Sequence, residues 1–221
     1  MRSTIGALLL SVVLVACSSS DASTDPAAEL ADAATALAAA ESFDVTITRD
    51  GPTLSVDALP GLGVESVTGV FVSPGSAQGT ASARLGPLAA PIDFVAIDDT
   101  VWLAVPLVGW EELTAAESID LPSILGPEGL PRFVAEDVTQ VVIEPLDDES
   151  AAYRGTFDTT RLSEVSAGVV GAGVTAVRGT IDGDGRLASV VFADSVEIDL
   201  TWRFEFANPG SGDGLEIVPP V

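Results

Sequence analysis

VEIDLTWRFEF, residues 196–206, alternates apolar and polar side chains without a break. Val196, Ile198, Leu200, Trp202, Phe204 and Phe206 point one way; Glu197, Asp199, Thr201, Arg203 and Glu205 point the other. A period of two presents a single apolar face only in an extended strand. Eleven such residues at about 3.3 Å each would span roughly 36 Å, about twice an ordinary strand, so a sheet built from them is expected to curve.

Shorter alternating runs fill most of the remaining chain: Phe43, Val45 and Ile47; Leu54 and Val56; Val64 to Val72; Ala77 to Leu85; Ile92 to Ile97; Val101 to Val105; Asp137 to Glu144; Ala151 to Phe157; Thr175 to Ile181; and Leu187 to Ala193. Gly, Pro or Asp pairs separate most of them, which predicts an antiparallel meander of about 10–11 strands. Helical signals are few. Asp25-Pro26 supplies an N-cap and a first-turn proline, and Leu30, Ala33, Ala34 and Leu37 share one face of an Ala-rich helix ending near Glu41. Asp158 to Val165 reads as a short capped helix.

Between these lies EELTAAESIDLPSILGPEGLPRFV, where Pro122, Pro127 and Pro131 forbid one long helix. Broken helical turns are expected, presenting Ile119, Leu121, Ile124, Leu125, Leu130 and Phe133 as a mobile apolar surface. A second mobile stretch, Val165 to Val174, sets Gly168, Gly171 and Gly173 among valines. Residues 207–221 read as a loop-like tail. The fold class is therefore α+β: a large antiparallel sheet with few helices to cover its apolar face. Two sheets packed with a dry core, or one curved sheet around an apolar space, both satisfy this alternation.

The N-terminus carries a different signal. Arg2 precedes an apolar run from Ile5 to Ala16, too short to span a bilayer and suited to a signal peptide over residues 1–16. Leu14-Val15-Ala16-Cys17 resembles the lipobox of bacterial lipoproteins, which makes Cys17 the expected lipidation site and mature N-terminus. SSSDASTD then forms a polar tether to residue 25, ahead of a domain over residues 26–206. The expected place is the cell envelope, anchored by acyl chains to the outer face of the cytoplasmic membrane. Removing Arg2 from the formal charge of -24 leaves the mature chain at -25. That charge opposes nucleic acid and anionic bilayers alike, so nucleic acid is excluded as a partner and an acyl anchor makes physical sense.

Leu59-Pro60-Gly61-Leu62-Gly63-Val64, Ala96-Ile97-Asp98-Asp99-Thr100-Val101-Trp102, Leu121-Pro122-Ser123-Ile124-Leu125 with Gly129-Leu130, and Gly179 to Leu187 occur in that order. In order and spacing the chain resembles the LppX/LprAFG lipoproteins from about Ala27 to Phe206, differing in its lack of lysine. The resemblance implies a LolA/LolB-like, strongly curved antiparallel half-barrel with helices on its concave face, enclosing a cavity for multi-acylated lipids or glycolipids. It also implies lipid carriage across the envelope, beside a membrane lipid exporter. On that reading the candidate lipid-contact residues on strands are Phe43, Val45, Ile47, Ile92, Phe94, Ile198, Leu200, Trp202 and Phe204. The broken segment adds Leu121, Ile124, Leu125 and Phe133, and the Gly-rich stretch adds Val165, Val169 and Val170.

Catalytic readings find little support. A chain without His builds neither a Ser-His-Asp triad nor a His-based zinc site, its one Cys is Cys17, and no cofactor or metal motif is expected. Asp182-Gly183-Asp184-Gly185 suits a hairpin turn, since position twelve of a calcium loop would be Ala193. Two functions of different class remain: a lipid carrier with an internal cavity, and an anchored interaction module with a filled core that binds an envelope protein.

Overall fold

The computed structural model describes residues 25–51, 54–55, 62–85, 88–114, 120–146, 148–197 and 199–220. The signal segment, Cys17, the tether to Thr24, residues 59–61, Ile119 and Ile198 lie outside the described residues.

The described chain opens with α1 (Pro26–Ala38), then β1 (Ser42–Asp50), β2 (Leu54–Ser55), β3 (Leu62–Val72), β4 (Ser76–Leu85), β5 (Leu88–Ile97), β6 (Thr100–Val105) and β7 (Gly109–Thr114). Next come α2 (Leu121–Leu125), α3 (Leu130–Asp137), β8 (Val138–Pro145), β9 (Ala151–Asp158) and α4 (Thr160–Val165). β10 (Val174–Ile181), β11 (Leu187–Ala193) and β12 (Thr201–Ala207) complete it. The strands form one antiparallel sheet in the order β7-β6-β5-β4-β3-β1-β12-β11-β10-β9-β8, with β2 beside β3 and two open edges. Each half is a meander. The seam is β1, which pairs with β3 on one side and with the last strand on the other, Val45 opposite Phe206 and Ile47 opposite Phe204.

Curvature has local causes. Gly69 of β3 faces Gly79 of β4, and a Cβ on Gly69 would stand 2.3 Å from the Gln78 carbonyl oxygen, so the two backbones approach more closely than side-chained residues permit. Register shifts at Val64/Ser66, Thr139/Val142 and Thr180/Ile181 add twist.

The helices fill the concave side. Asp25 caps α1 by accepting from the Ala27 amide at 3.1 Å, and the apolar stripe Leu30, Ala33, Ala34 and Leu37 is buried against α3, β8 and β11. α2 covers β4 and β5, while α3 bridges α4 to β8 and β9. Arg161 of α4 ties α3 down with ion pairs to Asp137 at 2.7 Å and Glu136 at 2.8 Å, its guanidinium 4.6 Å above the Phe133 ring centre. One apolar core runs from α1 through Phe43, Phe71, Phe157, Phe192 and Trp202.

Three expectations need correction. The strand expected over 196–206 begins at Thr201 and has 7 residues; Val196 is 73% exposed. Asp194 is the reason: its carboxylate accepts the Val196 and Glu197 amides at 2.9 and 3.1 Å, folding the chain into a turn that competes with the ladder. The long strands lie elsewhere, β3 with 11 residues and β4 and β5 with 10 each. Next, Glu111 to Thr114, expected to be helical, belongs to β7, an edge strand in which only Leu113 is buried. Finally, the Pro-broken segment, expected to present a mobile apolar surface, turns its apolar residues inward. Leu121, Ile124, Leu125, Leu130 and Phe133 are all buried, and Pro122 and Pro131 sit in the first turns of α2 and α3, where no amide hydrogen bond is lost.

Candidate functional site

β1 alternates Phe43, Val45, Ile47 and Arg49 toward the helices, and β12 answers with Trp202, Phe204 and Phe206. At the Arg49 end of these rows α2 and the 166–170 turn close over the sheet. Between them lies a small cavity of about 40 Å³. Its walls include Ile47, Val64, Val67, Trp202 and Phe204 from the sheet, Leu121 and Ile124 from α2, and Val169 and Val170 from the turn. Arg49, Glu65, Ser66 and Ser166 complete the lining. A space of this size holds about one water and no acyl chain.

Asp194, outside the lining itself, fixes two of the elements that carry it. Besides the two turn amides it accepts the Gly171 amide at 2.8 Å and the Trp202 indole N–H at 3.2 Å, so one carboxylate joins the Gly-rich stretch, the 194–197 turn and β12. Position 171 must be glycine for this: a Cβ there would stand 2.4 Å from Asp194 Oδ1. Burial pushes the Asp194 carboxyl up, but the amides of Gly171, Glu197 and Val196 and the Trp202 indole together hold it below the ordinary aspartate value. Thr159 repeats the device at the other end of the stretch, its hydroxyl 2.7 Å from the Gly171 carbonyl and 3.1 Å from the Gly173 amide. Ser166 completes it by accepting the Val170 amide at 3.1 Å.

Arg49 stands at the cavity rim with its guanidinium 5.4 Å from the Trp202 ring centre. Its side chain is only 9% exposed. One nitrogen, Nη2, reaches Glu197 at 3.4 Å; Nε and Nη1 meet no acceptor among the described residues.

The sequence matches the family model described as LppX_LprAFG lipoprotein over residues 25–210, nearly all of the described fold. The chain belongs to the LppX/LprAFG lipoprotein family. No curated protein sequence matches it. Among solved structures it is similar to LprF from Mycobacterium bovis, at 19% identity and a TM-score of 0.67, covering 89% of this chain and 97% of that one. It is also similar to the lipoprotein LppX from Mycobacterium tuberculosis, at 16% identity and a TM-score of 0.58, covering 87% and 98%. The shared fold is the curved, open antiparallel sheet with short helices on its concave side.

In this LppX/LprAFG chain the cavity gathers Ile47, Leu121, Ile124, Val169, Val170, Trp202 and Phe204 from the residues singled out by sequence. Phe43, Val45, Phe94, Leu125, Phe133 and Leu200 are instead buried in the close-packed core around it. Ile92 packs apart from both, with Ala83 and Leu103. Val165 lines a separate open groove beside α2, and Ile198 lies outside the described residues. Sequence reasoning passed over Arg49, Val64, Val67, Ser166 and Asp194. Arg49 carried a readable signal, since it continues the inward alternation of Phe43, Val45 and Ile47.

A larger groove of about 480 Å³ crosses β8 to β12, lined by Gln140, Arg154, Thr156, Arg178 and Thr201 among others. Arg154 and Arg178 are exposed and the groove lies open to solvent. It lacks the apolar enclosure that an acyl chain requires.

Proposed function

We infer that this family member binds a multi-acylated lipid or glycolipid between the curved sheet and its helical cover, and carries it across the cell envelope. Cys17 would anchor it by acyl chains to the outer face of the cytoplasmic membrane, within reach of a membrane lipid exporter. The reading is of a carrier without catalytic activity. One observation carries it: the apolar cavity is walled on one side by a continuous sheet and on the other by α2, a helix of 5 residues that ends at Gly126, and by the 166–170 turn. Such segments shift as pieces without breaking a long helix, while the sheet stays whole. A volume of about 40 Å³ requires α2 and the 166–170 turn to part from β1 and β12 before a chain can enter.

The same small volume favours a second reading, an anchored interaction module whose core is simply full. Organic extraction and mass spectrometry of the full chain carrying Cys17→Ser, purified from several hosts, separates the two. Acylated lipid recovered in stoichiometric amount supports the carrier. A clean extract from every host, with no uptake of added lipid, refutes it.

A further inference from the structure

An arginine in an inward-facing strand row is unusual for a chain with 9 basic residues and a net charge of -24. Arg49 follows Phe43, Val45 and Ile47 on the same face of β1, directly opposite Trp202 in the β1–β12 ladder. The guanidinium carbon lies 5.4 Å from the Trp202 ring centre, and Nε and Nη1 are left without an acceptor among the described residues. Burying charged donors without acceptors is costly, and native structures offset such a cost with a partner. Glu197 does so weakly: its contact is 3.4 Å long, reaches Nη2 alone, and comes from a side chain 53% exposed. Glu65, the other acid that lines the cavity, pairs with Arg84.

The geometry points to Arg49 as a headgroup-recognition residue that takes the oxyanion, phosphate or carboxylate, of an acylated ligand whose chains occupy the adjoining apolar space. This rests on the lipid-binding reading above and adds a ligand class to it. An oxyanion supplies both the acceptors that Nε and Nη1 lack and the compensating charge; a neutral sugar hydroxyl supplies acceptors only. The acidic surface does not prevent this. Charges beyond about 8 Å are largely screened at physiological salt, whereas a guanidinium at an apolar rim acts at contact distance in a poorly screened site. Attachment of the oxyanion to acyl chains follows from position, since Arg49 shares its cavity with Ile47, Ile124, Val170 and Phe204.

The full chain carrying Cys17→Ser is titrated with dioleoylphosphatidic acid, with dioleoylglycerol in the same micelles, and with inorganic phosphate in lipid-free buffer. The parent should prefer phosphatidic acid to diacylglycerol. Arg49→Gln should reduce that preference about tenfold or more, with Arg49→Lys restoring part of it. Glu197→Gln, which removes the competing anion from an exposed position, should increase the preference and keeps the test decisive if Arg49→Gln does not fold. Both lipids binding with a preference unaltered by either substitution overturns the headgroup role and leaves the carrier standing. Neither lipid binding the parent overturns both. Inorganic phosphate binding as tightly as phosphatidic acid makes Arg49 a free-oxyanion site and overturns recognition of a lipid headgroup.

Discussion

Replacing Asp194 by Asn tests whether one carboxylate holds the Gly-rich stretch to the sheet. Asp194 is 5% exposed and accepts four N–H groups, Gly171 and Trp202 on Oδ2 and Val196 and Glu197 on Oδ1. Asparagine keeps one oxygen and sets an NH₂ against the other pair of donors, so two charge-assisted bonds are lost whichever way the amide turns. At about 1.5 kcal/mol for each, the cost is about 3 kcal/mol, which lowers the melting temperature of a domain this size by about 6–12 °C. The effect should depend on pH. The folded-state pKa lies below the ordinary 3.8, so the carboxylate's contribution is complete above about pH 4 and is lost as pH falls through the folded-state value. Urea unfolding followed by tryptophan fluorescence at pH 7 and pH 3 measures both quantities, and the parent-to-variant gap should narrow at pH 3. A gap below about 1 kcal/mol at pH 7, or one that is unchanged at pH 3, would refute the clamp.

Three further outcomes are expected. Cys17→Ala should release the protein from membranes without altering its melt; retention in the membrane fraction through carbonate and high salt would count against acyl anchoring. Val169→Trp, from a half-buried position on the cavity wall, should change stability by less than about 1.5 kcal/mol while lowering the lipid recovered by extraction, whereas Val170→Trp, from a fully buried site, should cost about 1–3 kcal/mol. A Val169→Trp variant that unfolds or carries lipid like the parent would contradict the assignment of that wall. In hydrogen exchange, residues 121–133 should change protection when lipid is added and β12 should not; equal response in both would mean that the sheet itself opens.

How legible this fold was depended on whether a residue acts through its face or through its partners. The inward rows of β1 and β12, the stripe of α1 and the breaks at Pro122 and Pro131 follow from apolar spacing and proline chemistry, and they stand in the structure as read. Val196 and Glu197 obeyed the same alternation and did not form strand, because Asp194 offered their backbone amides a better acceptor than a neighbouring strand. Polar connections between distant segments, such as Asp194 to Gly171 or Thr159 to Gly173, leave no periodic trace. The size of the cavity was equally hidden, since the same apolar side chains line a space when held apart and close it when α2 and the 166–170 turn settle onto the sheet. Arg49 was legible in principle: a charged residue fourth in an inward row marks a position where burial needs a partner.

The seam at β1 bears on how the molecule is made. Asp44 pairs with Ala207, so the joint between the two meanders waits for the last strand of the chain. During synthesis from the N-terminus, β1 acquires β3 early while its other edge stays open through the making of β4 to β11. An unpaired edge rich in Val, Ile and Phe invites pairing with a second nascent chain. Truncation before Thr201 would therefore leave two ordered meanders with facing open edges, a species prone to self-association, although every helix is already complete. The final ladder also joins residues as far apart as Asp44 and Ala207 in a chain of 221, which places the closing of the sheet among the slow, topology-limited steps of folding.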